Sequence, residues 1–271
     1  MRIMAPVEAV GRRVANDVGD LGDLSVFTVQ MLRWIVTDLT RWRLLREQLF
    51  EVGVRSVPVV MFTGAFVGMV LAVQSYYQFA AIGREAWSGA VINLSVVKEL
   101  GPVLAGVMIA GRVGGALAAG LGTMKVTEQI DALRAMGSDP QRHLVSPRLL
   151  ACVLLGPLLV IYADLMGVFG GYVVSVGIYS VNPAPYWQYS AQWITFNDIF
   201  TGLAKSLFFS GSIAMASCFK AFRCPPGAAG VGRACTEAFV VGCMTILIED
   251  FFLNVFMDAA HAFFYGPRVL I

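Results

Sequence analysis

Charged side chains fall within apolar runs long enough to cross a membrane, among them Lys98, Glu99, Arg112, Asp164, Lys205, Glu249 and Asp250. An isolated charge at mid-bilayer costs roughly 3 kcal/mol or more, so such residues are paired, hydrated or functional. Lys98 and Glu99 stand beside Gly101-Pro102. Proline lacks a backbone donor and frees a carbonyl in the preceding turn, and freed backbone groups in a membrane helix can line a polar cavity. Two roles are open for Lys98 and Glu99: a place on a transport path, or a salt bridge within the protein. Arg112 and Lys205 fit structural or snorkelling roles, with Asp164 and Glu249-Asp250 as candidate partners. Other chemistry finds no support. His143 and His261 are the only histidines, too few for a triad or a metal cluster, and the expectation is that the chain binds no metal. The five cysteines lack CxxC spacing and read as small hydrophobes. The stretch from Gly120 to Lys125 lacks phosphate-loop spacing and follows no strand, so no cofactor is expected on this chain and any ATP must be bound by another.

The elements that must position these charges are membrane helices. Of 271 residues, 57% are hydrophobic and 14% charged, and the mean hydropathy is +0.70. Soluble domains carry roughly 25% charged residues. A net charge of +2 excludes a strongly basic nucleic-acid binder and an acidic disordered tail. Apolar runs near residues 57–76, 91–121, 149–179, 199–219 and 234–256 predict five spans, with a break in the second at Pro102. Residues 22–50 differ. Leu24, Phe27, Met31, Trp34, Ile35, Trp42, Leu45 and Leu49 recur at helical spacing among arginines, which predicts an amphipathic helix lying in the membrane interface. The first 20 residues contain no apolar core of a signal peptide. Gly106, Ala110, Gly114, Ala118 and Gly122 recur every fourth position, beside a second stripe of Gly111, Gly115 and Ala119. Gly64/Gly68/Ala72 and Gly167/Gly171/Ser175 repeat the pattern, which lets helix backbones pack closely in lipid.

Basic residues set the orientation. Eight precede Ser56, four follow the second span and three follow the fourth, against Arg84 and Arg268 in the alternate loops and tail. The positive-inside rule places the N-terminus in the cytoplasm and the C-terminus outside. The segment Thr123–Pro147, between spans two and three, holds Val126, Ile130, Leu133 and Met136 on one face of a short helix. Gly137 supplies a stop and Asp139-Pro140 a turn. A helix where a polar connector would suffice suggests a docking element.

The run KELGPVLAGVMIAGRVGGALAAGLGTMKVTEQIDALRAMGSDP (Lys98–Pro140), followed by Ser146-Pro147-Arg148, closely resembles the signature of the MlaE/YrbE permeases, membrane subunits of MCE-associated lipid-transporting ABC systems. GAAGVGRACTEAFV (Gly227–Val240) resembles the same family's loop before its last span. The resemblance implies an all-α membrane protein: an interfacial helix within residues 1–50, a five-span permease domain over 51–257 and a short outer tail over 258–271. It further implies a homodimer in the inner membrane, paired with cytoplasmic ATPase subunits that use ATP and Mg, a periplasmic MCE-domain protein, a small STAS-type regulatory subunit, and phospholipid as cargo. On this reading Val126, Thr127, Glu128, Gln129, Asp131, Arg134 and Met136 belong to a coupling helix seated in an ATPase groove. Lys98, Glu99, Leu100, Gly101, Pro102 and Arg112 border the lipid pathway, and Gly106, Gly111, Gly114 and Gly115 serve helix packing. The chain departs from the family pattern at Lys98 (commonly Arg), at Gly120 (commonly Glu) and at Cys224-Pro225-Pro226. The first departure removes a guanidinium fork, and the second a partner for Arg112. A competing reading is an ion- or proton-coupled secondary transporter working through Lys98, Glu99 and Asp164. It predicts activity without an ATPase and commonly an inverted repeat, which the sequence does not display.

Overall fold

A computed structural model describes residues 19, 22–31, 33 and 42–265, and among these every regular element is helical. In chain order they are α1 (22–31), α2 (Trp42–Ala80), α3 (Glu85–Val126), α4 (Gln129–Ala135), α5 (Gln141–Ile178), α6 (Pro183–Trp193), α7 (Phe196–Phe222) and α8 (Ala228–Tyr265). Among the described residues, five of these (α2, α3, α5, α7 and α8) are long and apolar enough to cross a membrane. The chain is an all-α membrane protein with the five expected spans. The expectations for residues 1–18, 34–41 and 266–271 lie outside the described residues.

Local sequence accounts for where helices start. Pro183 stands in the first turn of α6, where no intrahelical donor is needed, and Pro58 and Pro147 open the α-helical stretches that follow the π turns within α2 and α5. Asn182 accepts a hydrogen bond from the Ala184 N–H at 3.1 Å to start α6. Thr195 and Asp198 form a reciprocal capping box at the start of α7. Residues 42–49, assigned from sequence to the interfacial helix, run on through a π turn at Phe50–Val54 into the first span. Residue 50 therefore marks no structural break. At the other end α8 continues past residue 257, so residues 258–265 extend the last span rather than forming a separate tail.

α3 lies at the centre and touches each of the other four spans. α2 lies along α5 at backbone contact: a Cβ on Gly68 would stand 1.9 Å from the Gly167 carbonyl oxygen, and one on Gly64 2.4 Å from that of Ala163. The small residues expected to permit close packing in spans one and three thus face one another. Outward, Phe62, Phe66, Leu158, Leu165, Phe169, Leu247, Phe251 and Phe252 form an exposed apolar belt suited to lipid. α1 rests on the end of α7, with Met31 fully buried and the Phe27 ring 5.7 Å from Phe219 and 6.0 Å from Phe222. Val26 and Val29 on α1 stay exposed, so one face meets protein and another is free for the interface.

Candidate functional site

Pro102 was expected to break the second span. Instead α3 is continuous and absorbs the proline in a π turn, Val96–Leu100, which carries Lys98 and Glu99. The missing Pro102 donor leaves carbonyls of this turn open to neighbours. The Val97 oxygen sits where Gly202 of α7 has no side chain, 2.4 Å from the position of a Cβ, and the Lys98 oxygen is 3.5 Å from Lys205 Nζ. π turns recur at functional sites because the extra residue re-aims side chains, and here the re-aimed side chain is Glu99.

Lys205 is fully buried, and its ammonium bridges two helices, 2.7 Å from Glu99 Oε2 and 3.0 Å from Asp250 Oδ1. Asn254 Nδ2 donates to Glu99 Oε2 at 2.9 Å and lies 3.4 Å from Asp250 Oδ2. Lys98 turns the other way, to Asp258 Oδ1 at 3.4 Å. One π turn, one buried lysine and one polar stripe on α8 therefore make a charged cluster inside an apolar bundle. Lys98 and Glu99 do not pair with each other; each is paired across helices. Sequence reasoning missed Asn254 and Asp258, although their spacing of four and eight residues from Asp250 puts all three on one face of α8. Ser212 of α7 donates to Glu249, which takes that neighbouring acid out of the cluster.

Asp164 lies elsewhere. Its Oδ1 is buried without a hydrogen-bond partner and occupies the space that a side chain on Gly101 would need. Leu100 faces a groove of about 390 Å³ lined by Phe62, Thr63, Phe66, Val67, Val70 and Leu71 of α2. Arg112 sits in a second π turn of α3, Ala110–Gly114, and donates to Ser56 Oγ at 2.7 Å and to the Glu51 carbonyl at 3.2 Å. It ties the middle of α3 to the π turn of α2 and stands apart from the Lys205 cluster. A Cβ on Gly106 would meet Ile246 and Phe209, and one on Gly111 would meet Phe239, at ordinary packing distance; one on Gly114 would clash with Ser217 Oγ at 2.8 Å, whereas nothing lies within 4 Å of a Cβ on Gly115.

The segment expected to couple forms α4, preceded by a turn at Thr127 and Glu128. Glu128 takes a left-handed conformation (φ 60°) that starts the helix at Gln129, three residues later than Val126. Ile130 is buried and anchors it; Glu128, Gln129, Asp131, Arg134 and Met136 are exposed. Asp131 is held by Lys125 at 3.1 Å and Arg134 at 3.0 Å, and the Lys125 hydrogen bond keeps its carboxyl below the ordinary carboxylate range.

Fold and site define the class: a polytopic all-helical membrane protein with a partly buried charged cluster around a buried lysine, and an exposed helix between two spans. The comparisons make it specific. Residues 45–256 match the family described as Permease MlaE. A "Probable ABC transporter permease protein" of Rickettsia conorii is 40% identical over 246 residues, covering 91% of this chain and 95% of that protein. One of the same description from Synechocystis is 41% identical over 211 residues, 78% of this chain and 80% of the relative. The "Intermembrane phospholipid transport system permease protein MlaE" of Haemophilus influenzae is 34% identical over 257 residues, 94% of this chain and 98% of the relative. The chain belongs to the MlaE permease family.

Proposed function

We propose that this chain is the permease subunit of an ATP-driven lipid transporter that moves phospholipid. In this reading it acts as a homodimer in the inner membrane, N-terminus cytoplasmic and C-terminus periplasmic. A separate cytoplasmic ATPase uses ATP and Mg, a periplasmic MCE-domain protein exchanges the lipid, and a small STAS-type subunit regulates. The observation that carries it is the π turn of α3, which meets the charged cluster through Glu99 and an apolar groove through Leu100. Such a pairing suits an amphiphile: the ionic side chains take a headgroup, and the groove beside Phe62 and Phe66 takes acyl chain. An ion path would have little use for the groove. The Haemophilus relative's name, with its phospholipid transport system, points the same way. The exposed α4 is the natural contact for the ATPase, with Glu128, Asp131 and Arg134 as its polar groups.

The test is reconstitution with the ATPase subunit in vesicles carrying a fluorescent phospholipid. Replacing Glu128 and Asp131 with lysine should abolish ATP-dependent lipid transfer while leaving the protein in the membrane. Unchanged transfer in that double variant would remove α4 as the coupling element. Transfer that proceeds at full rate without ATPase would favour the ion-coupled reading instead.

A further inference from the structure

The charges around the π turn of α3 do not balance. Lys205 holds two carboxylates, those of Glu99 and Asp250, and Lys98 holds Asp258. Among the described residues, two ammonium groups of this cluster thus face three carboxylates. The groups lie at two levels along α8. Asp250 and Asp258 are eight residues apart on one face, about 12 Å along the axis, with Asn254 midway. The inner level closes around the buried Lys205, and the Asp250 side chain is 22% exposed. The other level is open: the Asp258 side chain is 60% exposed, and its contact with Lys98 is long, at 3.4 Å.

Height fixes what the open level meets. Gly122, near the α4 end of α3, packs against Val231, so α8 starts at that end of the bundle and Asp258 lies toward the other. The exposed apolar face of α8 begins at Phe239 and Val240 and runs through Leu247 and Phe251 to Phe256. Asp258 stands nineteen residues beyond Phe239, about 28 Å along the helix. The hydrocarbon core of a bilayer is about 30 Å thick. The Lys98–Asp258 pair therefore sits where acyl chains give way to headgroups. An exposed ion pair adds little to stability, so an arriving headgroup meets little resistance there.

A phosphate takes Lys98 only by displacing Asp258. An anionic headgroup leaves that carboxylate without a cation and adds to the negative surplus. A zwitterionic headgroup brings its own cation: the phosphate goes to Lys98, the ammonium to Asp258, and the net charge of the site is unchanged. A primary ammonium also offers three N–H donors to the carboxylate, which a quaternary one lacks. We propose that Lys98 and Asp258 select phospholipids whose headgroup carries a primary ammonium beside its phosphate, over anionic ones, at the end of the bundle remote from α4. Lys98 is the phosphate contact and Asp258 the residue that sets the preference. This selectivity presupposes the headgroup role of the cluster and adds the class of headgroup.

The full chain in nanodiscs of equal parts phosphatidylethanolamine and phosphatidylglycerol tests this, with the lipid that stays bound after release from the disc identified by native mass spectrometry. Wild type should retain phosphatidylethanolamine in excess. Asp258→Asn should shift the retained ratio toward phosphatidylglycerol about tenfold, as loss of one charge-assisted contact requires, and Asp258→Glu should restore it. Lys98→Gln should weaken retention of both lipids, since both present a phosphate. A pair that only braces α3 against α8 would lower the unfolding midpoint of Asp258→Asn and leave the ratio where it was. An unchanged ratio in Asp258→Asn, or a wild type that favours phosphatidylglycerol, overturns the preference and leaves the transport reading in place. A wild type that retains neither lipid overturns the headgroup role of the cluster together with the preference.

Discussion

Replacing Lys205 with methionine is the sharpest probe of the bundle. The side chain is fully buried, with carboxylate oxygens at 2.7 and 3.0 Å. At an effective dielectric of about 20, each contact represents about 6 kcal/mol of gross attraction, most of it offset by desolvation. Methionine fills similar volume but leaves Glu99 and Asp250 facing each other without a cation. Removing one member of a buried pair costs about 3–5 kcal/mol. For chains near this size that corresponds to a fall of about 6–20 °C in unfolding midpoint. The triple variant Glu99→Gln/Lys205→Met/Asp250→Asn removes charge from all three positions and should regain most of the loss, because a neutral, well-filled cluster has no uncompensated ion. Fluorescence-detected thermal unfolding in detergent reads stability, and ATP-dependent lipid transfer reads function. The expected outcome is a stable triple variant that transports poorly. A single variant as stable as wild type would falsify the pairing as an energetic element. A triple variant that is stable and fully active would strip the cluster of its role at the headgroup.

Three further outcomes follow from the geometry. Gly68→Ala pushes a methyl into the Gly167 carbonyl and should lower stability by about 1–3 kcal/mol, whereas Gly115→Ala meets no atom within 4 Å in this chain; equal midpoints for the two would contradict the α2–α5 contact. Arg112→Met leaves the Glu51 carbonyl without its guanidinium donor at a cost of about 1–3 kcal/mol; hydrogen exchange at residues 50–56 should accelerate, and unchanged protection would refute the link between the two π turns. Lys125→Met removes the hydrogen bond that holds the Asp131 carboxyl low, so its titration in carbon-detected NMR should move up toward 3.8. Because a lowered carboxyl stabilises the fold above its unfolded value and loses that effect as pH falls through the folded one, α4 should loosen only in strong acid; loosening near neutral pH would contradict the assignment.

Much of the architecture was legible in the residues because lipid imposes a simple rule: a spanning segment must be helical and apolar for about 20 residues. The five spans followed from that rule, as did small-residue faces on spans one and three, since small residues at four-residue spacing share a helix face; that Gly64 and Gly68 meet Ala163 and Gly167 was decided by the tertiary packing. The charged residues were equally visible, because a charge in an apolar run is conspicuous. Their partners were not. Glu99 lies more than a hundred residues from Lys205, and no local spacing relates them. Asp258 was read as tail because the hydropathy of the last span fades before it, yet helix α8 carries it to Lys98. The break expected at Pro102 depended on whether a neighbouring helix could accommodate the freed carbonyls. Gly202 and Lys205 do so, and the strain becomes a π turn instead. Sequence determined which residues enter the membrane and that their charges need partners, because solvation cost is a property of each side chain. Only the tertiary structure decided which charges meet, because pairing depends on how helices rotate and slide against one another. It likewise separated Arg112 and Asp164 from the cluster that Glu99, Lys205 and Asp250 share.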